Sequence, residues 1–289
     1  MNIGICGYGL VGSAVGIGLA DIGHTIYAYD TKFNDKCIPD EYITDAESKK
    51  DVWPLHTDDF MDLLKCDVVF ICVPTPANKD GSCDTSIVES CVMNLWGNNY
   101  KGIIAIKSTV TPGTTQRLID LYKTHKICFV PEFLRERFAI QDFLEEQDLC
   151  VVGTDSDEVF NIVKECHGPL PKQIIKIKPT EAELVKYFNN IFNATLITLA
   201  NSFYELCRIM KVDYSRIKQA LVQRNHINDI YLDCNEWLRG FGGQCLPKDA
   251  KAIMKLCDDL KLHSIHFFAN ILQQNEKFLP TVFNGMRQQ

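Results

Sequence analysis

Through residue 150 the sequence alternates short apolar, β-branched runs with segments of helical periodicity, a pattern that builds βαβ units around a parallel sheet. The runs lie near 2–6, 25–30, 67–73, 102–107, 126–130 and 148–152 and are read as strands. Turn chemistry follows them: Gly7-Tyr8-Gly9, Asp30-Thr31, Pro74-Thr75-Pro76, Ser108-Thr109 and Pro131-Glu132. In a doubly wound sheet ligands bind beyond the carboxyl ends of the strands, so these loops are expected to converge on one crevice.

Strand signals stop after Pro179. There Thr180-Glu181-Ala182-Glu183 reads as a helix cap, and one long helical pattern runs to about Met210. The remainder through Gln289 reads as helical, apart from a loop rich in glycine and aromatic residues from Tyr231 to Gly243. The predicted fold is α/β: a Rossmann-type doubly wound parallel sheet over residues 1–179, then a helical domain over 180–289. A chain of 289 residues, 46% of them hydrophobic, can bury two cores.

A net charge of −7 and the lack of any basic run argue against a nucleic-acid partner. No apolar run reaches membrane-spanning length, so no membrane partner is expected. The first residues, Met-Asn-Ile-Gly-Ile-Cys, enter a strand pattern without the basic region and cleavage site of a signal peptide. Thirteen cysteines, an odd number without CxxC pairs or Cys/His clusters, read as free thiols in a reducing compartment and not as metal ligands. The expected location is cytoplasmic.

Gly7-Tyr8-Gly9-Leu10-Val11-Gly12 follows a strand and opens a helix, the context in which G-x-G-x-x-G signifies dinucleotide binding. Gly7 permits the tight turn, Gly9 lets a pyrophosphate approach the backbone, Gly12 allows close packing, and the helix N-terminus offers amide donors. Asp30 ends the second strand, where its carboxylate can accept from a ribose 2′-hydroxyl and would repel a 2′-phosphate, which favours NAD over NADP. Lys32 is the one neighbour that argues the other way. The competing reading is a glycine-rich turn with a capping aspartate.

Cys245 stands just before Pro247, a residue suited to the first turn of a helix, and beside Lys248. A thiol so placed should have a lowered pKa, whereas Cys6, Cys72 and Cys128 lie in strand patterns and read as inert core residues. Alternatively Cys245 is a small buried hydrophobe beside a cap. Lys186 and Asn190 are one helical turn apart and share a face, which is either solvated or turned to a reacting group. Glu132 and Glu136 follow a strand end, and each either acts chemically or solvates a loop.

Five segments occur together in one order: Gly7-Tyr8-Gly9-Leu10-Val11-Gly12; Val73-Pro74-Thr75-Pro76; Ser108-Thr109-Val110 with Pro112-Gly113-Thr114; Pro131-Glu132-Phe133-Leu134-Arg135-Glu136; and Phe241-Gly242-Gly243-Gln244-Cys245-Leu246-Pro247-Lys248-Asp249. With these motifs the chain resembles the UDP-glucose/GDP-mannose dehydrogenases over essentially its whole length. The resemblance implies an NAD-dependent four-electron oxidation of a nucleotide-sugar C6 alcohol to a uronic acid, with Cys245 as covalent nucleophile. UDP-glucose is the expected substrate and GDP-mannose the main alternative; a non-catalytic NAD- or nucleotide-sugar-binding protein is the reading from another class.

By the same resemblance Lys186 and Asn190 stabilise oxyanions, and Asp249 with Thr109 positions or activates water. Glu132 and Glu136 act at the sugar and the nicotinamide. Phe133, Leu134, Phe241 and Gly242 meet the substrate, while Thr75, Thr109, Glu136 and Lys248 meet the cofactor. Two departures are visible: Arg137-Phe138 replaces the family's usual glycine after Glu136, and the loop from Arg224 to Gly240 is longer and differently composed. Family members continue into a second Rossmann-like domain that holds much of the nucleotide, so weak nucleotide-sugar affinity is expected of these residues by themselves. A homodimer through the long helix is also expected, with Ile191, Leu196, Leu199, Phe203 and Leu206 at helical spacing; the alternative is a helix buried within the chain.

Overall fold

Runs such as Val68-Val69-Phe70-Ile71 are apolar at every position because the sheet they enter is covered on both faces. The computed structural model describes residues 1–32, 54–135 and 138–278. The candidate Glu136 therefore lies outside the described residues. Strands β1 (Asn2–Cys6), β2 (Thr25–Tyr29), β3 (Leu55–Thr57), β4 (Val68–Ile71), β5 (Ile103–Ile106), β6 (Ile127–Phe129), β7 (Leu149–Gly153) and β8 (Gln173–Ile177) form one sheet in the order β3-β2-β1-β4-β5-β6-β7-β8. Strand order reverses between β1 and β4, which pair in parallel from Ile3↔Val68 to Cys6↔Ile71. This reversal is where an open α/β sheet leaves a crevice.

The six expected strands are present, and β3 and β8 add to them. β3 is three residues long and largely exposed, and β8 lies at the opposite edge with little burial, so neither carries the apolar run that marks a central strand. The sheet is Rossmann-like, as expected, but one junction is antiparallel, where Phe129 of β6 pairs with Gly153 of β7. Among the described residues between them the one helix is the six-residue α4 (Ala139–Leu144), which is too short at about 1.5 Å per residue to return along the sheet. β7 thus starts on the side where β6 ends.

Alternate side chains feed two core layers. Ile3, Ile5, Val68, Phe70, Cys128 and Val152 pack against helices α1 (Leu10–Asp21), α4 and α5 (Asp157–His167). Val69, Ile71, Ile104, Ile106, Phe129 and Val151 pack against α2 (Ser86–Gly97) and α3 (Thr114–Tyr122). Cys72 lies just past the end of β4 and is only half-buried by its surface, although desolvation pushes its thiol up to about 12.

Helix α6 runs from Pro179 to Met210. Pro179 opens it where no amide donor is needed, and the Lys178 N–H donates to the Glu181 carboxylate at 2.9 Å, half of a capping box. Compact unit one comprises residues 1–76 and 84–186; unit two comprises 77–83 and 187–289. Within unit two α6 contributes the buried stripe Tyr187, Ile191, Ala194, Ile197, Ala200 and Cys207. It packs with α7 (Tyr214–Leu221), α8 (Leu246–Asp259), α9 (Phe267–Lys277) and the intervening loop. Ile191 and Leu196, expected on the outward face, turn inward: Ile191 belongs to this stripe and Leu196 packs against the cluster around Ala200 and Cys207. Phe192 and Leu199, seven residues apart, share the opposite face instead, because seven residues return a helix nearly to its starting angle.

Candidate active site

The crevice end of unit one fits a dinucleotide. Gly7 has φ 94°, and a Cβ there would lie 2.8 Å from the Cys72 carbonyl, so the turn after β1 needs glycine. Gly12 lies so close to the Gly7 carbonyl that a Cβ would meet it at 2.0 Å, which draws α1 onto the turn. Around Gly9, the N-cap of α1, a Cβ would meet nothing within 4 Å, and no side chain caps the helix. Amide donors and open space thus coincide where a pyrophosphate needs both. Asp30 accepts from the N–H groups of Tyr8 at 2.7 Å and Lys32 at 2.8 Å, one on each carboxylate oxygen. Tyr8 is buried with its ring against His56, Val11 is half-buried, and Leu10 is exposed.

Beside this turn, the Ser108 hydroxyl donates to the carbonyls of Ile71 and Val73 and ties the end of β5 to the end of β4. Thr75 is buried and Thr109 half-buried in the two loops so joined. After β6, the Lys186 ammonium donates to the backbone carbonyl of Glu132 at 2.7 Å and to its carboxylate at 2.8 Å. The Leu134 N–H donates to the other carboxylate oxygen at 2.8 Å. This ion pair is buried, with 5% of the lysine side chain and 12% of the glutamate side chain exposed. Burial pushes the Glu132 carboxyl up, but Lys186, the Leu134 N–H and Lys107 outweigh it and hold the group below the usual carboxylate range.

Lys186 also lies over the Phe133 ring, 5.9 Å from its centroid, and Leu134 packs against the core beneath α1. Arg135 is turned to Asp142 of α4, to which its guanidinium and its backbone N–H both donate, and it stacks on Phe138. One turn before Lys186 the buried Glu183 accepts from the N–H groups of Gly113 and Thr115, which caps α3 with a carboxylate.

In unit two, Cys245 is the one exposed cysteine among the twelve described. It is the N-cap of α8, with Pro247 in the first turn, as the sequence spacing implies. Asp249 follows in that turn and is 1% exposed. The Asn190 amide donates to its Oδ2 at 2.6 Å, and the Lys248 ammonium lies 2.7 Å from its Oδ1. Gly242 is half-buried, while the Phe241 ring is buried in the core of unit two.

Three residues not anticipated from sequence hold the approach to Cys245. Asn275 of α9 pairs with Phe241 like a neighbouring strand, accepting from its N–H at 2.7 Å and donating to its carbonyl at 2.8 Å. Asn201 of α6 accepts from the Gly240 N–H and from the Arg239 guanidinium. Arg239 also bonds Glu205 and lies over the Tyr204 ring at 4.8 Å. Isolated polar letters in helical patterns carry no signal of such long-range pairing.

A glycine turn at the strand reversal, a buried Glu132–Lys186 pair, and an exposed cysteine at the N-cap of a helix whose first turn carries Asp249, paired with Asn190 and Lys248, form a restrictive combination. Residues 1–171 match the profile of the UDP-glucose/GDP-mannose dehydrogenase family, NAD binding domain, and residues 180–277 match that family's central domain. The chain belongs to this family. Its first unit therefore carries an NAD-binding fold.

The UDP-glucose 6-dehydrogenase of Rickettsia typhi is 32% identical over 284 residues, covering 91% of this chain and 64% of the relative. The UDP-glucose 6-dehydrogenase of Haloferax volcanii is 28% identical, covering 88% and 65%. The chain thus spans a little under two thirds of the length of these relatives. The solved UDP-glucose dehydrogenase of Pyrobaculum islandicum superposes with a TM-score of 0.83 at 27% identity, over 96% of this chain and 68% of that one. No helix among the described residues is long and apolar enough to cross a membrane.

Proposed function

We propose that the chain oxidises the C6 alcohol of a nucleotide sugar to the uronic acid, with UDP-glucose as substrate and Cys245 as covalent nucleophile. The observation that carries this reading is the exposed Cys245 at the start of α8, followed within one turn by a buried carboxylate held by Asn190 and Lys248. The names of the relatives supply the substrate class. A thiol at a helix N-terminus is biased towards the thiolate, the form that attacks carbonyl carbon.

Gly7 to Gly12 and Asp30 would hold NAD, which when bound would supply the hydride acceptor for both oxidations. The Cys245 thiolate adds to the C6 aldehyde left by the first oxidation and forms a thiohemiacetal whose oxygen carries the displaced electron pair. Loss of the second hydride from C6 leaves a thioester. Water then attacks that carbonyl, the thiolate departs, and the acid is released. Lys186 and Asn190 donate to the oxygen anions formed at C6, and Asp249 with Thr109 orients the hydrolytic water. Glu132, held ionised against Lys186, is in the state a base requires. Phe133, Leu134 and Gly242 bound the sugar, Phe241 stiffens their neighbourhood through Asn275, and Thr75 and Lys248 serve the cofactor.

NADH release across a panel of UDP- and GDP-sugars tests the reading, with two NADH expected per UDP-glucose consumed. One NADH per sugar would mean a simple alcohol dehydrogenase. A faster GDP-mannose reaction would reassign the substrate, and NAD binding without NADH from any sugar would mean a binding protein.

The same reading includes a homodimer through α6. Phe188, Phe192, Leu199, Phe203, Leu206 and Met210 form an exposed apolar stripe at helical spacing, opposite the stripe that serves the core of unit two. Light scattering at micromolar concentration should give twice the chain mass, and Phe203→Asp should lower it. A monomeric wild-type protein would refute the dimer.

A further inference from the structure

We propose that Lys107 is a positioning residue for Glu132, its ammonium fixing the backbone before that glutamate and adding a second positive charge to its surroundings. The functional half of this proposal rests on the reading that Glu132 serves the oxidation.

Lys107 follows β5 and is 2% exposed. Its Nζ donates to the Val130 carbonyl at 3.3 Å and lies 5.7 Å and 5.9 Å from the ring centroids of Phe70 and Phe143. Among the described residues it makes no ion pair. A buried ammonium without a counter-ion is costly, and a leucine or methionine would fill a site between two aromatic rings without that cost. What Lys107 does that an apolar residue cannot is hold Val130 and project charge. Two residues on, Lys186 holds the Glu132 carbonyl and carboxylate, so Val130-Pro131-Glu132 is fastened by one buried ammonium from β5 and another from α6.

The titratable groups around this pair leave Glu132 as the recipient of that charge. Glu132 is faced by Lys186 from α6, Lys107 from the end of β5 and Cys72 from the end of β4. Lys107 is faced by Cys72, by Cys128 of β6, Cys150 of β7, and Cys166 and His167 of α5. Burial pushes all four thiols up, Cys150 to about 11, and burial followed by Lys107 itself pushes His167 down to about 3. At neutral pH these groups are uncharged, and the one anion among the described partners is Glu132.

Carbonyl ¹³C NMR of the chain labelled at glutamate tests this directly, with Glu132→Gln assigning the resonance. Lys107→Gln retains a donor for Val130 without the charge, and Lys107→Arg retains the charge. The Glu132 midpoint is expected to rise by about one pH unit in Lys107→Gln and to stay near the wild-type value in Lys107→Arg. The acid limb of kcat should rise with it. An unchanged midpoint in folded Lys107→Gln would overturn the proposal. If that variant does not fold, Lys107→Met read in the same way decides it, and if both fail, an arginine variant with a raised midpoint overturns the proposal and one with an unmoved midpoint supports it. A midpoint that rises while Glu132→Gln keeps full activity would instead remove Glu132 from the reaction and leave the electrostatic link standing.

Discussion

Cys245→Ser is expected to abolish uronic-acid formation, lowering it by about a thousandfold or more, roughly 4 kcal/mol of barrier, without loss of folding stability. A thiol with an ordinary pKa near 8.5 already gives a few per cent thiolate at neutral pH, whereas an alcohol ionises far above neutrality, in the region of water itself. The serine would also form an ester in place of the more readily hydrolysed thioester. The usual alternative explanation, damage to the fold, is weak at this position. Cys245 is exposed and is the N-cap of α8 with no side-chain cap bond of its own, and serine is a favoured N-cap residue. Thermal unfolding should therefore occur at or above the wild-type temperature while acid production, measured by chromatography of the sugar nucleotide, disappears. A serine variant producing acid at the wild-type rate would remove Cys245 from the mechanism.

Legibility from sequence followed the range of the interaction concerned. The central strands and α6 could be read because burial on both faces of a strand, or on a stripe of a helix, is written into local apolar periodicity. Gly7 and Gly12 could be read because the positive φ of Gly7 and the contact of Gly12 with the Gly7 carbonyl both lie within the six residues of one turn, although the Cys72 carbonyl that also excludes a side chain at Gly7 is distant in sequence. β3 and β8 escaped because an edge strand needs backbone pairing and little apolar content. The antiparallel Phe129–Gly153 junction depends on a helix being short, and helix length is a weak signal when the whole helix is six residues. Within the candidate site, Glu132 could be named by motif and Lys186 by its helical spacing to Asn190 together with the family resemblance, but the Lys186–Glu132 pairing spans 54 positions and Asn190–Asp249 spans 59. Asn275 and Asn201 were invisible because a buried amide bonded to backbone and a solvated amide are the same letter. Arg135, which lies in the same motif as Glu132, is engaged through its guanidinium with Asp142.

The other large effect is expected from Lys186→Met, which removes the positive partner of a buried carboxylate and leaves the hole filled. Losing one member of a buried pair costs about 3–5 kcal/mol, and losing a donor to a developing oxyanion costs about 10²–10³ in kcat, so both stability and turnover should fall. The pH dependence separates this from a simple packing defect. In the wild-type protein the Glu132 carboxyl is held below its ordinary value, so its contribution is fully present above the unfolded pKa and is lost as pH falls through the folded one. In the variant the largest remaining influence is burial, which raises the carboxyl; folding then favours the protonated form, and the damage is greatest at neutral pH. Urea unfolding should show the gap between variant and wild type narrowing as pH is lowered from 7.5 to about 5. Lys186→Met with Glu132→Gln should recover most of the stability, because no unpaired charge remains, while turnover stays lost. A gap that does not change with pH, or a double variant no more stable than the single one, would show that Lys186 supports the fold through its packing and not through the charge it sets against Glu132.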